Sequence, residues 1–163
     1  MLLALLLAAT VRGPGDVESL AASADAVVHA RVARQTSGWV PSGGQIFTTV
    51  VLRTIETWKG QPASEWTVLV PGGDVGDISQ TVQGVAAFRD GEEVVVFLHR
   101  RAASVFGVER LALGKFAVGA PPGLAKRALR DRRGLACAGC APGETDDFSL
   151  DELHARVVGS SRR

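Results

Sequence analysis

Apolar and polar residues alternate with a period of two over much of the first 120 positions, the spacing of strands with one buried face. In Ala26–Arg34, Val28, Ala30 and Val32 fall on one side, while His29 and Arg31 fall on the other. Gly38, Pro41, Ser42, Gly43 and Gly44 then mark a turn around Trp39. Gln45–Trp58 is rich in β-branched and aromatic residues. Ile46, Val50 and Leu52 share one parity and Ile55 has the other, so a bulge or bend is predicted near Arg53 and Thr54. Lys59-Gly60-Gln61-Pro62 ends that strand, and Trp66–Val70 forms the next with Trp66, Val68 and Val70 inward. After Glu93 the run to Leu98 has no polar alternation, which predicts a strand buried on both faces, introduced by a turn at Asp90-Gly91. Val105–Val118 supplies one or two more strands, broken near Gly114-Lys115.

Helices are predicted only near the ends. Asp16 can cap a short helix with Val17, Leu20 and Ala21 on one side. Ser149-Leu150-Asp151-Glu152 has the spacing of a capping box and opens an amphipathic helix from Leu150 to about Val158. Five or more short strands with little helix between them predict a mainly β fold. Its expected form is a small closed antiparallel, OB-like barrel, because closure removes exposed sheet edges.

Composition narrows the partners. The 163 residues, 46% of them hydrophobic, suffice for one ordinary domain. Eighteen Lys+Arg against seventeen Asp+Glu leave a formal net charge of +1, which argues against nucleic acid as the partner. No apolar run reaches the roughly 18–20 residues that span a bilayer. The apolar stretch Met1–Val11, ending at Arg12, matches the middle of a secretory signal in length and Leu/Ala content. The expected organisation is a signal segment over 1–13, a β-barrel domain over 16–119, and a charged tail over 120–163, in a protein exported to the periplasm or beyond. Within the tail, Lys126, Arg127, Arg130, Arg132 and Arg133 precede Glu144, Asp146 and Asp147. The two charged segments either fold against each other or stand separately in solvent.

Chemistry is sparse. Cys137-Ala138-Gly139-Cys140 is the most reactive-looking feature. Thioredoxin-type chemistry needs such a pair at a helix N-terminus, and here no βαβ pattern precedes it. A zinc site needs four ligands, and only His154 offers a third. In an oxidising compartment a local disulfide is the simplest reading; a thiol-redox or metal-binding protein is the alternative one. Pro71-Gly72-Gly73-Asp74-Val75-Gly76-Asp77 follows a strand but lacks both a Gly-Lys-Ser/Thr and a Gly-x-Gly-x-x-Gly run. Asp74 and Asp77 lack the regular acidic spacing of a calcium loop, so 71–84 reads as a long surface loop of the kind that carries binding, with Asp74 and Asp77 as candidate contacts to a macromolecular partner. His29 and His99 have no partner at motif spacing and are expected to be solvated or at an edge. No His-Glu-x-x-His and no Gly-x-Ser-x-Gly occurs. Trp58 and Trp66 are expected to pack across the turn at Gly60–Pro62. Trp39, in its Gly/Ser-rich loop, is the best single candidate for contact with a protein partner. No catalytic residue, cofactor or metal is predicted.

The order of these pieces resembles a family of exported bacterial proteins of uncharacterised function. The resemblance rests on Ala24-Asp25-Ala26-Val27-Val28-His29-Ala30-Arg31-Val32, then Thr48–Leu52 with Trp58-Lys59-Gly60. It continues through Val70-Pro71-Gly72-Gly73 with Gly76, then Gly84, Phe88 and Gly91–Leu98, and closes with Gly114-Lys115-Phe116. It covers roughly residues 16–119 and specifies a fold more than an activity. The "Ala-Asp-x-Val-Val" strand and the "strand, then Lys-Gly" ending are also similar, more distantly, to the OB-like barrel of netrin and tissue-inhibitor-of-metalloproteinase domains. Those inhibitors present an N-terminal cysteine to the protease zinc. This chain has no cysteine before Cys137, so that route is not carried over.

Overall fold

The computed structural model of the chain describes residues 15–132 and 145–161. The expected signal segment and the Cys137/Cys140 pair lie outside the described residues. The chain is mainly β, with two short helices at its ends. In order, the elements are helix α1 (Val17–Ser23), strands β1 (Ala26–Trp39), β2 (Ile46–Lys59), β3 (Glu65–Pro71), β4 (Gly73–Val75), β5 (Ile78–Gln80), β6 (Glu93–Ala102) and β7 (Val105–Val108). A 3-10 turn at Leu111–Gly114 leads into β8 (Lys115–Gly119), followed by β9 (Arg127–Asp131), β10 (Thr145–Ser149) and helix α2 (Leu150–Ser160).

Eight strands form one sheet in the order β1-β2-β3-β7-β6-β8-β9-β10, and β1 also pairs with β6. Five of them, β1-β2-β3-β7-β6, therefore return to their start as a ring. Every pairing in that ring is antiparallel except β3–β7, which is parallel at Thr67/Val105 and Val68/Phe106. The long β1–β2 hairpin can belong to a ring because it is bulged. Ile55 is an extra residue of β2 between Thr54, opposite Ala30, and Glu56, opposite His29. That is the change of parity the sequence predicts, and each bulge sharpens the local twist.

The alternating residues fill two layers. Ala26, Val28, Ala30 and Val32 of β1 meet Val50 and Leu52, Trp66 and Val68, Val94 and Val96, and Phe106 inside the ring. The opposite parity of β1 and β6, with Val27, Val95 and Phe97, is covered by Leu20 of α1 and by Leu153 and Val157 of α2. The apolar run of β6 is thus buried on both faces, as predicted. Each fully buried Val or Leu side chain contributes about 1.5–3 kcal/mol by leaving water.

Two expectations change here. Trp58 and Trp66 do not pack across the turn. A second bulge places Trp58 as the extra residue between Thr57 and Lys59, and its indole lies in the helix layer, edge-on to His154 at 4.9 Å. Trp66 points into the ring against Phe106 at 5.0 Å. The 71–84 segment departs from the expected loop in part, since residues 73–80 form the β4–β5 hairpin.

Several residues that carry the family resemblance serve the architecture. Lys59 Nζ donates to the carbonyls of Ala21 and Ala24 at 2.6 and 2.7 Å, closing the C-terminal end of α1, where the helix dipole favours a cation. Gly60 has φ +93°, and a Cβ there would meet the Asp25 carbonyl oxygen at 2.8 Å. Asp25 itself accepts the Arg100 backbone N–H at 2.6 Å. Lys115 donates to the Ala87 carbonyl and to Glu92 and lies over the Phe88 ring, fastening the loop before β6.

The two charged tail segments fold against each other. β9 and β10 pair as an antiparallel ladder, with Arg127 bonded to Asp147 at 2.6 Å and Arg130 bonded to Asp146. Burial lowers the Arg130 pKa, and the neighbouring Asp146 carboxylate opposes that shift. The capping box forms as read, with Ser149 Oγ accepting the Glu152 N–H.

Candidate functional site

The helices cover the outward parity of the ring only at the Val27, Val95 and Phe97 end. Farther along β1–β2–β3, the outward-facing residues are Thr36, Phe47, Thr49 and Leu69, opposite in parity to the buried Val50 and Val68. With Trp39, Val40, Pro41 and Arg101 these line a cavity of about 410 Å³. That lies within the range of small-ligand clefts, roughly 300–1,000 Å³. Trp39 closes β1 and is 48% exposed, the position a contact residue needs. No carboxylate lines this cavity.

Asp74 and Asp77 come to the same end of the ring but not into that cavity. Gly73 fits the start of β4 against β1 and β2. At φ +134°, a Cβ there would overlap Ser37 Oγ and Thr48 Oγ1, which bond each other at 2.9 Å. Gln80 of β5 accepts the Ile46 N–H at 2.6 Å and holds the hairpin's other strand. Asp74 lines a second cavity of about 370 Å³, with Gln35, Thr48 and Phe88, on the inner side of the β1–β2 hairpin. Asp77 sits in the turn and lines neither. A third cavity, about 630 Å³, is bordered by Lys115 and Glu92, whose charges are already bonded to each other at 2.7 Å.

His29 is not solvated as expected, whereas His99 is partly exposed. His29 is 5% exposed, with Nε2 at 2.7 Å from Glu93 Oε1, because the helices cover the face that alternation alone assigns to solvent. Glu93 also accepts from Lys126 at 2.7 Å and Arg31 at 3.1 Å. Burial pushes the Glu93 carboxyl up, but the bonds and charges of Lys126 and His29 outweigh it and hold its pKa below the usual range. His99 Nδ1 lies 3.4 Å from Glu109 Oε2, while Ser23 Oγ donates to Glu109 Oε1 at 3.0 Å. The serine bonds the carboxylate rather than the imidazole, which is not the nucleophile–base contact that hydrolytic catalysis requires. Among the described residues no group of three or more His, Cys, Asp or Glu is placed to hold a metal, and no helix is long and apolar enough to cross a membrane.

A search of protein-family models and of curated proteins finds no match to the chain. Of the residues singled out from sequence, Trp39 lines the first of these cavities and Asp74 the second. Phe47, Leu69 and Arg101 complete the first cavity and escaped sequence reading. The available signal was Phe47, an aromatic residue on the parity opposite to Ile46 and Val50.

Proposed function

We propose that this chain is an exported, non-catalytic module, an OB-like closed barrel that binds another macromolecule at its Trp39 end. The five-strand ring with one parallel closure supports the barrel, and small Greek-key barrels of this kind use the face of their second and third strands for ligands. The apolar Met1–Val11 and the resemblance to exported bacterial proteins support export.

The observation that carries the reading is the uncovered outer face at Trp39, Phe47 and Leu69, beside a buried architecture in which His29, Glu93, Lys115 and Arg130 are committed to internal contacts. Affinity capture from a periplasmic extract, quantified for the wild type, Trp39→Ala and the Asp74→Asn/Asp77→Asn pair, tests it. The reading expects a partner lost with Trp39→Ala. Retention of every captured protein by all three forms contradicts the placement. Export has its own test: the intact mass of periplasmic protein is expected to be short of the full chain by an N-terminal piece.

A further inference from the structure

We propose that the partner presents to the Trp39 face an acidic peptide segment, in which a carboxylate stands beside a large apolar side chain. This rests on the binding-module reading above and names the chemistry of its partner.

The floor of the cavity carries Phe47 and Leu69, and Arg101 is the one charged residue among its described lining. Phe47 and Leu69 stand on adjacent strands, with Trp39 at one end. Arg101 closes the opposite side. Gly107 makes its approach possible: a Cβ at that position would lie 2.6 Å from Arg101 Nε, so the guanidinium stem crosses bare backbone of β7 toward Leu69. Arg34 lies on the same outward face as Thr36, two residues along β1 and opposite Val51. Both arginines are exposed, and neither has an ion-pair or hydrogen-bond partner among the described residues.

Elsewhere Arg31, Arg53, Lys115, Lys126, Arg127, Arg130 and Arg156 each hold a carboxylate, and Lys59 and Arg100 hold backbone carbonyls. Glu65 of β3 and Glu109, just after β7, are engaged with Arg53 and with Ser23. Arg101 at the cavity and Arg34 farther along the same face, both uncommitted, with no acid in the lining, complement a ligand that brings carboxylates and apolar side chains together. Arginine forks suit a planar carboxylate, and an aromatic anchor beside them is the usual composition of a binding hot spot. A single nucleic-acid strand needs cationic groups along a whole groove, which two arginines on a chain of net charge +1 do not supply.

Selection from a phage-displayed random dodecapeptide library against the folded wild-type chain tests the class directly. The expected result is enrichment of sequences with Asp or Glu next to Leu, Phe, Trp or Met. Affinity of a synthetic enriched peptide should fall about tenfold or more in Arg101→Glu and in Arg34→Glu, the loss of a charge-assisted bond. Thermal melts of both variants confirm that the fold is kept. Titration of the peptide into isotope-labelled protein should shift resonances at Thr36–Pro41, Phe47–Thr49, Leu69 and Arg101. Enriched peptides that map to this face but carry no acid overturn the acidic class and leave the binding face standing. Peptides that map elsewhere, or no enrichment, overturn both. Preferential binding of an oligothymidylate probe overturns the peptide class in favour of nucleic acid.

Discussion

Glu93→Gln isolates the buried ionic junction that ties β1, β6 and the start of β9 together. Glu93 is 10% exposed at its side chain and accepts from His29, Lys126 and Arg31. A hydrogen bond to a charged group contributes about 1.5–3 kcal/mol when its partners cannot reach water. His29 is in that position, whereas Lys126 and Arg31 are half-exposed and their shares are those of surface pairs, about 0–1 kcal/mol each. The substitution keeps the shape and one acceptor for His29, so the expected loss at pH 7 is about 2 kcal/mol. For a chain of this size that lowers Tm by roughly 4–8 °C. The pH dependence follows from the direction of the Glu93 shift. Folding holds the carboxyl below its ordinary value of 4.5, so the ionised form is the one the fold favours. Its contribution is complete above pH 4.5 and disappears as pH falls through the lowered native value. Urea unfolding of both forms across pH 7 to about 2 should therefore give curves that converge toward acid with unchanged slope m. Equal stability at pH 7, or a gap that stays constant to about pH 2, refutes the assignment.

Three further expectations concern the frame of the site. Gly73→Ala forces a Cβ against Ser37 and Thr48 at a left-handed φ, and should cost about 1–3 kcal/mol while releasing the β4–β5 hairpin to faster hydrogen exchange. Lys59→Met removes the donor from the carbonyls of Ala21, Ala22 and Ala24 at the end of α1; urea titration should register about 1–2 kcal/mol, with exchange rising first over Val17–Ser23. Trp39→Ala, at an exposed site, should change stability by no more than about 0.5 kcal/mol, so that any loss of binding is a loss of contact.

Much of the fold was legible because period-two alternation survives wherever one face meets the ring interior. Val28, Ala30 and Val32, or Trp66, Val68 and Val70, announce their burial directly. The unbroken run of β6 announces its second buried face in the same way. Reading failed where burial came from a distant element. His29 sits on the polar parity, yet α1 and α2 close over that face from opposite ends of the chain. Trp58 changes sides because a bulge adds one residue to β2, and a parity shift of one moves a side chain across the sheet. The three-residue strands β4 and β5 are too short to show a pattern and are held by Gln80 and the fit at Gly73. The Trp39 cavity was legible only at Trp39. Its other walls come from β2, β3 and β6, whose residues Phe47, Leu69 and Arg101 meet only once the ring has closed.

The central claim is that this face is where the chain meets its partner. A photoreactive amino acid placed singly at positions 36, 39, 47, 69 and 101, with Ile55 and Leu129 as exposed controls elsewhere, tests it in the intact exporting host. Irradiation should yield the same covalent adduct from the five cavity positions and none from the two controls. Adducts from the controls alone, or equal adducts from all seven sites, would contradict the account.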